Sequence, residues 1–206
     1  MSNPDRPFGW RKRIGLLSPT VIETAAYDFY RLAPDGVSMC ATTSNIEHWS
    51  RENFQQHVLE PIVTAVRYLA SRNVAVVTPY PQELHQSALR FLAASGFHVV
   101  AERTMDVVFK RLQDITPRQI FATAREVLAT APSAEGVYIP CNQWSGADAA
   151  PLIEDALGVP VVTGAHADYW EAFRSLGIND RIEGHGQLML SLSNRAPAAA
   201  AAVARA

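Results

Sequence analysis

The feature that most constrains this chain is an alternation: short apolar runs of strand length, bounded by turn residues, are separated by segments of helix length. The runs fall at residues 13–17 (RIGLL), 36–41 (GVSMCA), 74–78 (VAVVT), 97–101 (FHVVA), 136–140 (GVYIP) and 159–163 (VPVVT), each without a regular in–out pattern. Within residues 81–95 the apolar Leu84, Ala88, Phe91 and Leu92 share one helical face, and Gly96 follows as a stop. Thr116 and Pro117 read as an N-cap and first-turn pair, with Ile120, Ala124, Val127 and Leu128 continuing the stripe to the break at Ala131 and Pro132. Two shorter helices are expected over 151–157, closed by Gly158, and 168–176, closed by Gly177. Strands buried on both faces and joined through helices predict an α/β fold with a mostly parallel sheet.

In such a sheet, ligands bind beyond the carboxyl ends of the strands. Those ends carry SPTVIE (18–23), TTSN (42–45), TPYPQE (78–83), CNQWSG (141–146) and GAHADY (164–169), so hydroxyls, amides and one thiol gather on a single edge. Cys141 directly follows its strand, where backbone N–H groups and a nearby helix start can lower a thiol's pKa. Cysteine is also a common small buried hydrophobe, and both readings stand at this point. Tyr80, stiffened between Pro79 and Pro81, is either a phenol donor to an anion or a tyrosine capping the core with its hydroxyl in water. His166 is the histidine best placed to pair with Cys141 in a thiol hydrolase, set against a surface residue at a helix start. Cys40 sits inside its strand and is expected in the core.

Several classes are excluded or disfavoured. A net charge of −2 with scattered Lys and Arg offers no basic stripe for nucleic acid. No apolar run is long enough for a membrane span or a signal peptide, so a cytoplasmic location is expected, with Cys40 and Cys141 as free thiols. The histidines lack ligand spacing, which argues against a metal, and no dinucleotide or nucleoside-triphosphate motif is present. Residues 1–12 are expected to form a flexible tail and the Ala-rich residues 195–206 a second one.

Three stretches together, RIGLLSPT, VAVVTPYPQELHQSALRFLAASGFHVV and EGVYIPCNQWSGADAAPLIEDALGVPVVTGAHADYW, resemble the aspartate/glutamate racemase superfamily, in its maleate cis-trans isomerase and arylmalonate decarboxylase branch. The resemblance implies two pseudo-symmetric parallel-sheet lobes over residues 13–194, divided near residue 72, with a cofactor-free site between them. There a small carboxylic acid reacts by isomerisation or decarboxylation through an enediolate-like state. It further implies Cys141 as the thiol acid or nucleophile and Tyr80 as a carboxylate-holding phenol. The backbone amides of Asn142 and Gln143 would complete that end of the site, with Ser18, Thr20 and Thr78 as further pocket residues. The chain departs from the pattern between a helix expected over 52–71 and the strand at 74–78, where one strand–helix unit is missing. The first lobe is therefore expected to be shortened, without the family's first-lobe cysteine or hydroxyl-rich loop. An enzyme with one thiol and a catalytically impaired paralogue that at most binds a carboxylate both follow from that loss. The apolar surface it exposes suggests a homo-oligomer.

Overall fold

The structure is a computed structural model that describes residues 6–7, 9–18, 23–43 and 72–194. The helix expected over 52–71, the missing unit, Thr20, residues 1–5 and 8 of the segment expected as an N-terminal tail, and residues 195–206 lie outside the described residues, whereas Arg11 and Lys12 are part of the fold. The first sheet pairs β1 (Lys12–Ser18) with β2 (Val37–Thr43) in parallel, joined by α1 (Glu23–Leu32). The second contains β3 (Asn73–Thr78), β4 (His98–Thr104), β5 (Gly136–Ile139) and β6 (Val161–Thr163) in the order β4-β3-β5-β6. Every pair in it is parallel. α2 (Gln82–Ala94), α3 (Pro117–Ala129), α4 (Gly146–Leu157), α5 (Gly164–Ser175) and α6 (Gly186–Leu190) complete the chain, with two 3-10 turns at Phe109–Asp114 and Ser191–Asn194. Each sheet thus begins with a βαβ unit, the α/β racemase-type plan, and among the described residues the first sheet has two strands against four in the second.

The period of two in a strand decides which helix layer each residue meets. Ala75, Val77, Val137, Ile139 and Val161 face α3 and α4, packing on Ile120, Ala124, Val127, Ala150 and Ile153. Val74, Val76, Tyr138 and Val162 face the other way. They join Leu92 of α2, Trp170 and Phe173 of α5, and Phe29, Val37 and Met39 of the first lobe. The two lobes therefore share one core. Tyr169 Oη strengthens the seam by donating to the Ala25 carbonyl at 2.5 Å, and Arg11 forms a bidentate pair with Asp180 at 2.8 and 2.6 Å.

Helix ends follow local chemistry. Thr116 and Gln119 form a capping box at α3, with Pro117 in its first turn. Buried Glu154 of α4 accepts from the Val161 and Gln187 amides, each at 2.8 Å, fixing β6 and α6 to one carboxylate. Gly186 has φ +83° and a Cβ there would meet Glu154 Oε2 at 2.9 Å, so the approach requires glycine.

Cys40 corrects an expectation. It lies in β2, but Val37 and Met39 take the inward positions, and Cys40 is exposed, paired laterally with Gly15. No helix among the described residues is long and apolar enough to cross a membrane. No described group of three or more His, Cys, Asp or Glu is arranged to hold a metal ion.

Candidate active site

β3 delivers Tyr80 through a short proline-flanked segment that β4 pins. Met105 N donates to the Thr78 carbonyl at 2.8 Å and Val107 N to the Pro79 carbonyl at 2.9 Å, while Thr104 Oγ1 donates to the Tyr80 carbonyl. Tyr80 is 8% exposed and packs with Ala88 and Cys141, so that its phenol and the Cys141 thiol are close enough to influence each other's ionisation. The core-capping reading with the hydroxyl in water is therefore wrong for Tyr80, because the neighbouring loop closes over it.

β5 delivers Cys141, which has φ +79°, a left-handed conformation uncommon for any residue other than glycine and often found at functional sites. Three contacts hold it there. Gln143 N lies 3.4 Å from Cys141 Sγ, Trp144 Nε1 donates to the Pro140 carbonyl at 2.7 Å, and the start of α5 presses against the turn. A Cβ on Gly164 would meet Asn142 Oδ1 at 2.3 Å and Cys141 N at 3.2 Å, so this close approach also needs glycine. Burial pushes the thiol up to about 11, although the Gln143 amide and the Tyr80 phenol both oppose the shift. The sequence-based expectation of a lowered value fails because desolvation outweighs those two donors. At neutral pH the sulfur carries its proton.

Asn142 Nδ2 donates to Asp168 Oδ2 at 2.6 Å. Burial pushes the Asp168 carboxyl up to about 6 against the effect of that hydrogen bond, and Asp168 in turn raises the nearby phenols of Tyr80 and Tyr138. Cys141, Tyr80, Asn142, Gln143, Tyr138 and Asp168 therefore form one cluster, of which the last two are absent from the sequence-based set. Residues 164–167, which precede the helix expected over 168–176, are already the first turn of α5, which starts directly at the end of β6 with Thr163 as its cap: His166 N donates to Thr163 Oγ1 at 3.1 Å.

The remaining candidates divide. Thr78 is buried, and its hydroxyl lies 2.9 Å from His85 Nδ1, whose Nε2 is 2.5 Å from Glu102. It is thus a member of a strand–helix–strand network joining β3, α2 and β4. Ser18 ends β1. His166 is buried at the helix start, correcting the surface reading. Its ring lies against His185 with centroids 6.4 Å apart, and neither nitrogen has a hydrogen-bond partner among the described residues. Burial, with His185 and Arg31 adding, pushes it down to about 3. It makes no hydrogen bond to Cys141, so the thiol-hydrolase pair is not assembled. On α1, Asp28 is 3% exposed with one oxygen unpartnered among the described residues. Burial and the nearby Asp148 push it up to about 7, while Arg31 opposes them.

The family model described as arylmalonate decarboxylase matches residues 54–189. An arylmalonate decarboxylase from Bordetella bronchiseptica is 26% identical over 129 residues, covering 62% of this chain and 54% of that protein. A maleate isomerase from Nocardia farcinica is 29% identical over 132 residues, covering 62% and 51%. The chain spans about half the length of the curated relatives it matches. Among solved structures, a crystal structure of arylmalonate decarboxylase superposes with a TM-score of 0.73 at 20% identity, covering 86% of this chain and 98% of that one. A Nocardia farcinica maleate cis-trans isomerase bound to TRIS gives 0.75 at 21%, covering 89% and 99%; at these identities the likeness is one of fold. With the family model matched over more than half of its length, the chain belongs to the arylmalonate decarboxylase family.

Proposed function

We propose that this chain carries out cofactor-independent chemistry at the α-carbon of a small carboxylic acid, with decarboxylation favoured over isomerisation. The observation that carries this reading is Cys141 held in a left-handed turn and packed against Tyr80, where burial favours the protonated thiol. In a decarboxylation the bond from the α-carbon to one carboxylate breaks, carbon dioxide leaves, and the electron pair remains on an enediolate. Tyr80 stabilises the developing negative oxygen. Cys141 then gives its proton to the α-carbon, and water restores the proton to sulfur. A thiol with a high pKa suits that acid role. Isomerisation of maleate by sulfur attack needs thiolate, which burial disfavours here, and chemistry that uses two opposed thiols finds one in this cluster.

The test is proton NMR in deuterated buffer with an aryl- or alkenylmalonate and, separately, with maleate, for the parent and for Cys141→Ala. Decarboxylation with deuterium at the α-carbon, lost in the variant, is the expected result. Its rate should not fall between pH 7 and 9 through thiol ionisation, since that loss begins as pH rises toward about 11. Conversion of maleate to fumarate instead would replace the acid role with a nucleophilic one. If a folded parent protein turns over neither substrate, the impaired-paralogue reading gains and decarboxylation fails.

A further inference from the structure

We infer that Tyr138 is a second hydroxyl donor of the site, giving its hydrogen bond to a carboxylate oxygen of the ligand. The inference rests on the reading of this cluster as a carboxylate site and adds a residue that the decarboxylation proposal does not use.

Tyr138 lies on β5 between Val76 of β3 and Val162 of β6, three positions before Cys141. Its side chain is 0% exposed. At that depth a tyrosine hydroxyl normally bonds to a partner. Tyr138 Oη has none among the described residues. A role confined to packing would be served by phenylalanine without the unpaired hydroxyl.

The hydroxyl's surroundings indicate what it meets. The ionisable neighbours of Tyr138 include Asp168 and Cys141, and Tyr138 is itself a neighbour of Tyr80. Those are the groups that define the cluster. Asp168 Oδ2 is already taken by Asn142, and the Cys141 sulfur is met by Gln143 N and packed against Tyr80. Tyr138 therefore brings an uncommitted O–H to a cluster whose other phenol packs against the thiol. Two phenols beside a thiol suit an anion with oxygens to spare, and a carboxylate is the smallest organic group that fits.

The inference makes two opposed demands on Tyr138→Phe, which keeps the ring and removes the oxygen. Without ligand the variant should melt at or above the parent's temperature, because a buried unpaired hydroxyl is gone. Its affinity for phenylacetate, a monocarboxylate with no second carboxyl to lose, should fall about tenfold or more in an NMR titration. A lower melting temperature without ligand, or failure of Tyr138→Phe to fold, would show that the hydroxyl serves the protein and would overturn the inference. So would unchanged affinity for phenylacetate, or a parent protein that binds neither phenylacetate nor phenylmalonate at millimolar concentration. Because the readout is binding, a parent that binds phenylacetate tightly through Tyr138 yet turns over no malonate leaves this inference standing while decarboxylation fails.

Discussion

The two βαβ units that open the two sheets share a topology and differ in what covers them. In β3–α2–β4, β3 is buried from Val74 onward and closed on both faces, by α3 on one side and by α2 and α5 on the other. In β1–α1–β2, Ile14, Leu16, Val37 and Met39 join the shared core, while Gly15 and Cys40 lie exposed on the other side. The two cysteines mark the contrast: one faces outward in the middle of a strand, the other is enclosed just beyond a strand's end. Among the described residues the same connection thus gives a strand closed along its length in one sheet and one with exposed positions in the other, and chemical groups concentrate where both faces are closed. Enclosure is what raises Cys141 and Asp168 out of their ordinary ranges.

Matched truncations test this contrast most severely. Ile139→Ala, in the fully covered sheet, should cost about 2–5 kcal/mol of unfolding free energy in urea titrations. Ile14→Ala, only partly buried in the first sheet, should cost less than half as much. Equal costs would mean that the first sheet is as enclosed as the second.

Thiol reactivity sharpens the comparison next. At pH 8 Cys141 lies far below its ionisation near 11, so iodoacetamide should alkylate Cys40 at least about 100-fold faster, as followed by peptide mass spectrometry. Comparable rates would remove burial as the factor controlling Cys141. The seam between the lobes gives a smaller effect that depends on pH. Folding raises the Asp28 carboxyl from 3.8 to about 7, so the native state holds that proton more tightly than the unfolded chain. The stability it contributes is fully present below the ordinary value and is lost as pH rises through about 7. Asp28→Asn should therefore stabilise by on the order of 1–3 kcal/mol at pH 8 and by little at pH 4, read from thermal melts. A constant difference across that range would assign the gain to something other than the proton. Smallest of all, Cys40→Ser should change stability by less than about 0.5 kcal/mol.

Much of the second sheet was legible because its strands are short, apolar and punctuated: β3, β4 and β5 lie within a few residues of their expected limits. Cys40 was misread because a run such as GVSMCA carries no sign of which face is covered. Pro151 hid the first half of α4, since a proline normally opens a helix, and here it lies inside one that begins at Gly146. Cys141 and Tyr80 could be found from their positions after strands and between prolines. Asp168 and Tyr138 could not, because their importance comes from burial beside groups distant in sequence. The sign of the Cys141 shift was hidden for the same reason: local spacing shows the donors near a thiol but not the water removed from it.

The passage from β6 to α5 has no intervening residue, with Thr163 ending the strand and capping the helix. A helix seated in this way has no hinge of its own, so Asp168 and the glycine beneath the Cys141 turn move with the sheet. Inserting a single residue after Thr163 would rotate everything beyond it by about 100° and carry Asp168 away from Asn142. Diversification of this wall is thus confined to exchanging side chains in place, and changes of length must enter at the looser margins of the molecule.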